Sequence, residues 1–221
     1  MRENARAKAG SGERSLKNLL VISENVVSSA LISQLKGIYD SIFVRDSQLS
    51  LDAYYEAILE WAVREKANFA DVGVVLAEEG SGVKPAENEA ELYLATDING
   101  LMVQPACRTE DEQGGVRFTD VSELFDARWR ETAKKQLEDF GVQVEAASVA
   151  AVAAPALLSP TERSALVSMG ADVVTGALYL DARAARACGM AALGVVFAGG
   201  HPKSGDPERR AEILSRLAAG S

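Results

Sequence analysis

Residues 148–200 read SVAAVAAPALLSPTERSALVSMGADVVTGALYLDARAARACGMAALGVVFAGG. The order is strand, a loop holding Pro155 and Pro160, helix, strand, helix, strand. This βαβαβ succession predicts a parallel sheet covered by helices. Gly199-Gly200-His201-Pro202 then breaks the chain. Residues 207–217 form a last helix with proline near its start, where a missing backbone N–H costs nothing.

Working back from this stretch, residues 126–140 carry the clearest amphipathic helix. Trp129, Ala133, Leu137 and Phe140 line one face, Asp126 suits the N-cap, and Gly141 suits the position just past the end. Residues 104–122 read as irregular. LYLAT (92–96) reads as a strand, and the polar segment EEGSGVKPAENEAE (78–91) as a loop broken by Gly80, Gly82 and Pro85. DVGVVLA (71–77) is a buried strand. Residues 50–65 place Leu51, Tyr54, Tyr55, Ile58, Leu59 and Ala62 at helical spacing. YDSIFVR (39–45) and LKNLLVIS (16–23) are further strands, and the apolar residues of 26–35 fit helix or strand equally. With no repeat and no linker, residues 16–221 are expected to form one domain behind a disordered, solvated arm over 1–15.

Composition narrows the function classes. The chain has 221 residues, 48% of them hydrophobic and 25% charged, as expected of a globular protein that buries about 70% of its unfolded surface. A net charge of -9 argues against nucleic acid or an anionic membrane as partner, since their phosphates need a basic field. It gives no help to an anionic substrate either. No run approaches the roughly 18 apolar residues of a membrane span. Cys107 and Cys188 form no CxxC motif and are expected to be buried thiols. With His201 the single histidine, neither a metal centre nor any other cofactor is expected. The basic start, with Arg2, Arg6, Lys8, Arg14 and Lys17, lacks the apolar core of a secretory signal. A cytoplasmic protein is expected, with an organellar address as the alternative.

Several stretches together resemble the purine nucleoside phosphorylase family. The matching residues in the opening stretch are Pro155, Pro160 and Glu162, then Gly170-Ala171-Asp172, Ala185-Arg186, Cys188-Gly189 and Leu193-Gly194. Residues Gly115 to Ser122 with Phe125-Asp126 are similar to the family's G-x-R-F-x-D-x-S-x-x-Y-D segment. Ile98-Asn99 match the family's D-H-I-N, with Asp97 in the place of histidine, and VVLAEEG (74–80) stands where the family has a strand followed by T-N-A-A-G. The series is collinear over roughly residues 70 to 200. It implies an α/β, three-layer fold: a central mixed sheet, partly curled, with helices on both faces. It also implies a homotrimer or hexamer, or a hetero-assembly with a related subunit.

The family's reaction attacks C1′ of a purine nucleoside with phosphate, and the resemblance assigns each of its demands to a position. The Gly-Ser-Gly phosphate turn falls on Ser23-Glu24-Asn25-Val26, without either glycine and with a carboxylate added. A second phosphate hydroxyl falls on Ala177. The nearest stretch to the family's R-F-H is Arg45-Asp46-Ser47. The stacking phenylalanine and the purine-binding glutamate become Leu157 and Leu158. The asparagine beside the leaving purine falls on Gly200, and the sugar-facing methionine on Gly176. The T-N-A-A-G asparagine falls on Ala77, its alanines on Glu78 and Glu79, and the aromatic lent by a neighbouring subunit on Gly114. No catalytic residue is assigned. Losing one hydrogen bond to a transition state costs roughly 2.7–4 kcal/mol, so a non-catalytic structural or regulatory subunit is expected. The alternative is a divergent phosphorylase or hydrolase cleaving the N-glycosidic bond with a rebuilt pocket.

Outside these positions, Gly80-Ser81-Gly82 reads as a flexible turn and Asp172 as scaffold. Asp181 reads as a polar support, and His201 as lacking a partner. The acidic sets Glu87, Glu89, Glu91 and Glu110, Asp111, Glu112 read as solvated surface.

Overall fold

The structure, a computed structural model, describes residues 17–23, 25–46, 48–68, 71–83, 90–100, 109–110, 116–117 and 120–219. The arm expected over 1–15 lies outside them, as do Cys107, Glu87, Glu89, Asp111 and Glu112. In chain order the elements are β1 (Lys17–Ser23), α1 (Ser29–Leu35), β2 (Ser41–Arg45), α2 (Leu51–Asn68), β3 (Val72–Gly82) and β4 (Leu92–Asn99). Then come the short pair β5 (Thr109–Glu110) and β6 (Val116–Arg117), α3 (Ala127–Asp139), β7 (Val144–Ala151) and a 3-10 turn (Pro155–Leu157). α4 (Pro160–Ser168), β8 (Val173–Thr175), α5 (Leu178–Ala187), β9 (Ala191–Ala198) and α6 (Pro207–Ala219) complete the chain.

The sheet is mixed, and most of it closes on itself. β3 pairs parallel with β9, β9 antiparallel with β4, β4 parallel with β7, β7 parallel with β8, and β8 antiparallel with the end of β3. These five strands make a complete circuit, each paired on both sides over part of its length. β1 and β2 extend parallel from the first half of β3 as an open flap. The curl of the sheet is thus a small barrel with a two-stranded extension. Within the predicted βαβαβ run, β7 and β8 are parallel neighbours as expected. β9 leaves them to pair with β3 and β4.

Alternation along the strands feeds two cores. Leu19, Val21, Val74 and Leu76 face α2 and α5, meeting Tyr54, Ile58, Trp61 and Leu178. Leu20, Ile22, Val75, Ala77 and Phe197 face the other way, meeting α3 and α6 through Trp129, Leu137, Ile213 and Leu217. Helices therefore lie on both faces of the sheet, and the three layers are in place. Local signals agree. Asp126 Oδ1 accepts from the Trp129 N–H at 2.8 Å, and Gly141 ends the helix at φ +77. Ser159 and Glu162 cap α4 reciprocally.

One open reading is decided and three expectations need correction. Residues 26–35, left open between helix and strand, form a helix over Ser29–Leu35 capped by the Ser28 hydroxyl. The polar loop expected from residue 78 starts later, because β3 runs on through Glu78-Glu79-Gly80-Ser81-Gly82. Its acidic side chains find cations, and its glycines let neighbouring backbone approach: a Cβ on Gly80 would stand 2.4 Å from Val196 Cγ1 and 2.8 Å from the Val174 oxygen. Glu91, expected on a solvated surface, is fully buried and accepts from Arg209 Nε at 2.9 Å. Cys188, expected buried, is half-buried.

Candidate functional site

Glu78 and Glu79 are consecutive on β3, so their side chains leave opposite faces of the sheet. Each meets a buried arginine. On the α2/α5 face, Glu78 Oε1 lies 2.9 Å from Arg45 Nη1, at the end of β2. The same carboxylate accepts from three successive backbone N–H groups where β8 turns into α5: Gly176 at 2.9 Å, Ala177 at 3.2 Å and Leu178 at 2.9 Å. These are free donors at a helix start, where the aligned peptide dipoles favour negative charge. Arg45 also donates to Asp181 of α5 through Nη2 and to the Tyr54 hydroxyl at 3.3 Å, while the Tyr54 hydroxyl donates to Asp181. Asp181 is 1% exposed, and Arg45 and Glu78 are below a tenth.

On the α1/α6 face, Glu79 accepts from Arg210 Nη2 at 2.9 Å. Arg210 Nη1 donates to the Asn25 and Val26 oxygens at 2.9 and 3.2 Å, and its Nε to the Ser204 oxygen. One guanidinium thereby ties the turn after β1 to the loop after β9. Arg45 and Arg210 are both spent on the chain's own oxygens.

Burial is the main force on the protonation states. It raises Asp181 to about 6, with Glu78 pushing the same way and Arg45 and the Tyr54 hydrogen bond pulling down. Burial first, then Asp181, holds the Tyr54 hydroxyl far above its ordinary range, so it remains a donor.

The structure gathers some of the sequence candidates and scatters others. Ser23 lies beside Arg45 in register, and the Val26 N–H closes a turn onto the Ser23 oxygen at 2.9 Å. Ala77 is fully buried next to Glu78, and Gly176 and Ala177 give their N–H groups to Glu78. A Cβ at residue 176 would sit 3.0 Å from Glu78 Oε1, so glycine there lets the backbone reach the carboxylate. Gly200, two residues past β9, turns at φ +87, which favours glycine. Leu157 and Leu158 part company: Leu157 is 81% exposed, and Leu158 packs toward Val83, Ala150 and Leu166. Glu24 and Gly114 lie outside the described residues.

The ionic cluster of Arg45, Tyr54, Glu78 and Asp181 escaped the reading of the sequence. One signal was present, a glutamate directly after the buried run DVGVVLA, which obliges a cation to come to it. Asp172 is scaffold as expected, accepting from the Ser148 N–H at 2.9 Å. His201 Nδ1 faces the Lys203 and Ser204 N–H groups at 3.3 and 3.4 Å, within its own turn. A cavity of about 330 Å³ opens between Thr96, Phe125, Arg130, Arg186 and Met190. It reaches the amino end of β9, whereas Glu78 pairs near the carboxyl end, and none of the candidate positions lines it.

A curled mixed sheet between helices, with its polar cluster where the strands end, defines a three-layer α/β domain of the nucleoside phosphorylase type. Comparisons with known proteins agree. Methylthioadenosine phosphorylase from Schistosoma mansoni, solved with tubercidin, superposes with a TM-score of 0.73 at 12% identity, covering 92% of this chain and 91% of that one. Its unliganded form gives 0.72 at 12% identity, covering 92% and 91%. In sequence, the purine nucleoside phosphorylase 1 of Geobacillus stearothermophilus is 30% identical over 123 residues, and that of Bacillus subtilis 26% over 123. Each of these matches spans 55% of this chain and 45% of the relative's length. No protein-family model matches the chain. The chain thus shares its fold with these solved phosphorylases and is similar in sequence, over 123 residues, to purine nucleoside phosphorylases.

Proposed function

We propose that this chain is a purine nucleoside phosphorylase-like protein without phosphorolytic activity, acting as a structural or regulatory subunit of an assembly. The observation that carries this reading is Glu78. The resemblance puts the phosphate site at Ser23-Glu24-Asn25-Val26 and Ala177, with Arg45-Asp46-Ser47 the nearest stretch to R-F-H, and here Arg45 and the Ala177 N–H both donate to the Glu78 carboxylate. A phosphate ~4 Å from that carboxylate would be repelled by ~4 kcal/mol at an effective dielectric of ~20. Leu157, Leu158, Gly176 and Gly200 offer no side-chain hydrogen bond to a purine or a ribose. The assembly is with copies of the chain, as a trimer or hexamer, or with a related subunit.

Purified protein incubated with inosine, adenosine or methylthioadenosine, with and without phosphate, is expected to release no free base above a blank. Native mass measurement is expected to give a defined oligomer or a stoichiometric complex. The sequence likeness to purine nucleoside phosphorylases favours one rival, a divergent enzyme that still cleaves the N-glycosidic bond. Base release dependent on phosphate would establish a phosphorylase and release without it a hydrolase, and either would end the non-catalytic reading.

A further inference from the structure

Four donors converge on one carboxylate: the Gly176, Ala177 and Leu178 N–H groups and the Arg45 guanidinium. The framework that aims these donors does not run through Glu78. Arg45 is held independently by Tyr54 and Asp181. The turn into α5 is held by the Val152 N–H on the Thr175 oxygen at 2.9 Å and by the Leu180 N–H on the Ala177 oxygen at 2.8 Å. Thr175, just before the turn, adds a buried hydroxyl with no partner among the described residues.

We infer that Glu78 is an intramolecular ligand: its carboxylate closes an oxyanion cradle built by the β2 end and the β8–α5 turn, and removing it opens that cradle to small oxyanions such as phosphate or acetate. With Glu78 in place, two carboxylates face one guanidinium and the cluster repels a further anion. With Glu78 gone, Arg45 and Asp181 cancel, and three N–H groups and one guanidinium face the space the side chain leaves. The inference deepens the proposed function by naming what shuts the site.

The test is thermal unfolding of the full chain in phosphate and in acetate, each against chloride at matched ionic strength. Glu78→Ala is expected to gain a saturable rise in Tm of roughly 3–6 °C at phosphate ~10-fold above its Kd. Wild type and Glu78→Gln, whose side chains still fill the cradle, are expected to show no such rise, and Glu78→Ala with Arg45→Met none either. A folded Glu78→Ala chain that responds to phosphate no more than to chloride overturns the inference. Should that variant be unfolded in chloride, it is refolded from denaturant in each salt: recovery in phosphate alone supports the cradle, and failure in both overturns it. Nucleoside cleavage by the wild type without phosphate would sink the proposed function and leave this result standing. An anion-blind variant would sink the cradle and leave the turnover assay untouched.

Discussion

Asp181 shows how far a single side chain's surroundings govern its chemistry. An aspartate titrates near ~3.9 in an unfolded chain, whereas burial holds this one at about 6. Between those values the folded chain keeps a proton that the unfolded chain has released. The group's stabilising contribution is therefore complete below pH ~4 and fades as the pH climbs through about 6. Asp181→Asn keeps the volume and cannot titrate. The Tm of the wild type relative to this variant is expected to fall between pH ~4 and pH ~7; a constant gap across that window would show that Asp181 does not titrate there. At this scale the sequence was partly readable. Its motif positions pointed to Ala177, Gly176 and Ser23, and these do gather. They could not show that Glu78 would occupy the space between them, because its partners stand 33 residues before it and about 100 after it.

Among the elements, β3 carries the most. It borders β1, β8 and β9, and its last residues form the seam that closes the barrel. Gly80 sits at that seam, where a methyl group would meet Val196 and the Val174 oxygen. Gly80→Ala is expected to cost ~1–3 kcal/mol of stability by overpacking, read by chemical denaturation. Gly205→Ala is the control, since its Cβ would meet nothing closer than 3.7 Å, and its effect should stay within about 0.5 kcal/mol. A Gly80→Ala chain as stable as that control would mean that the seam has slack. Helix α3 was legible in the sequence because cap, apolar face and terminal glycine all sit within one short window. The end of β3 was not, since two glutamates and two glycines read locally as loop. The barrel closure and the paired arginines override that preference.

For the whole molecule, the closed circuit has consequences for unfolding. Its two cores share every strand from β1 to β9 that faces both helix layers, and Arg210 links the loops after β1 and β9. Heat or denaturant is expected to unfold the described elements in one transition, with far-ultraviolet and aromatic signals changing together. Separated midpoints would mean that the β1–β2 flap opens independently of the barrel. The collinear series of family residues was enough to infer the three layers and the helices on both faces, since each apolar run declares its own element and the motif order declares their arrangement. Those are properties of neighbours along the chain. Where the buried charges meet was of another kind. It depended on Arg45, Glu78, the N–H groups of residues 176–178 and Asp181 arriving at one point. A buried charge takes its strength from the groups that replace its water, and only folding chooses those groups.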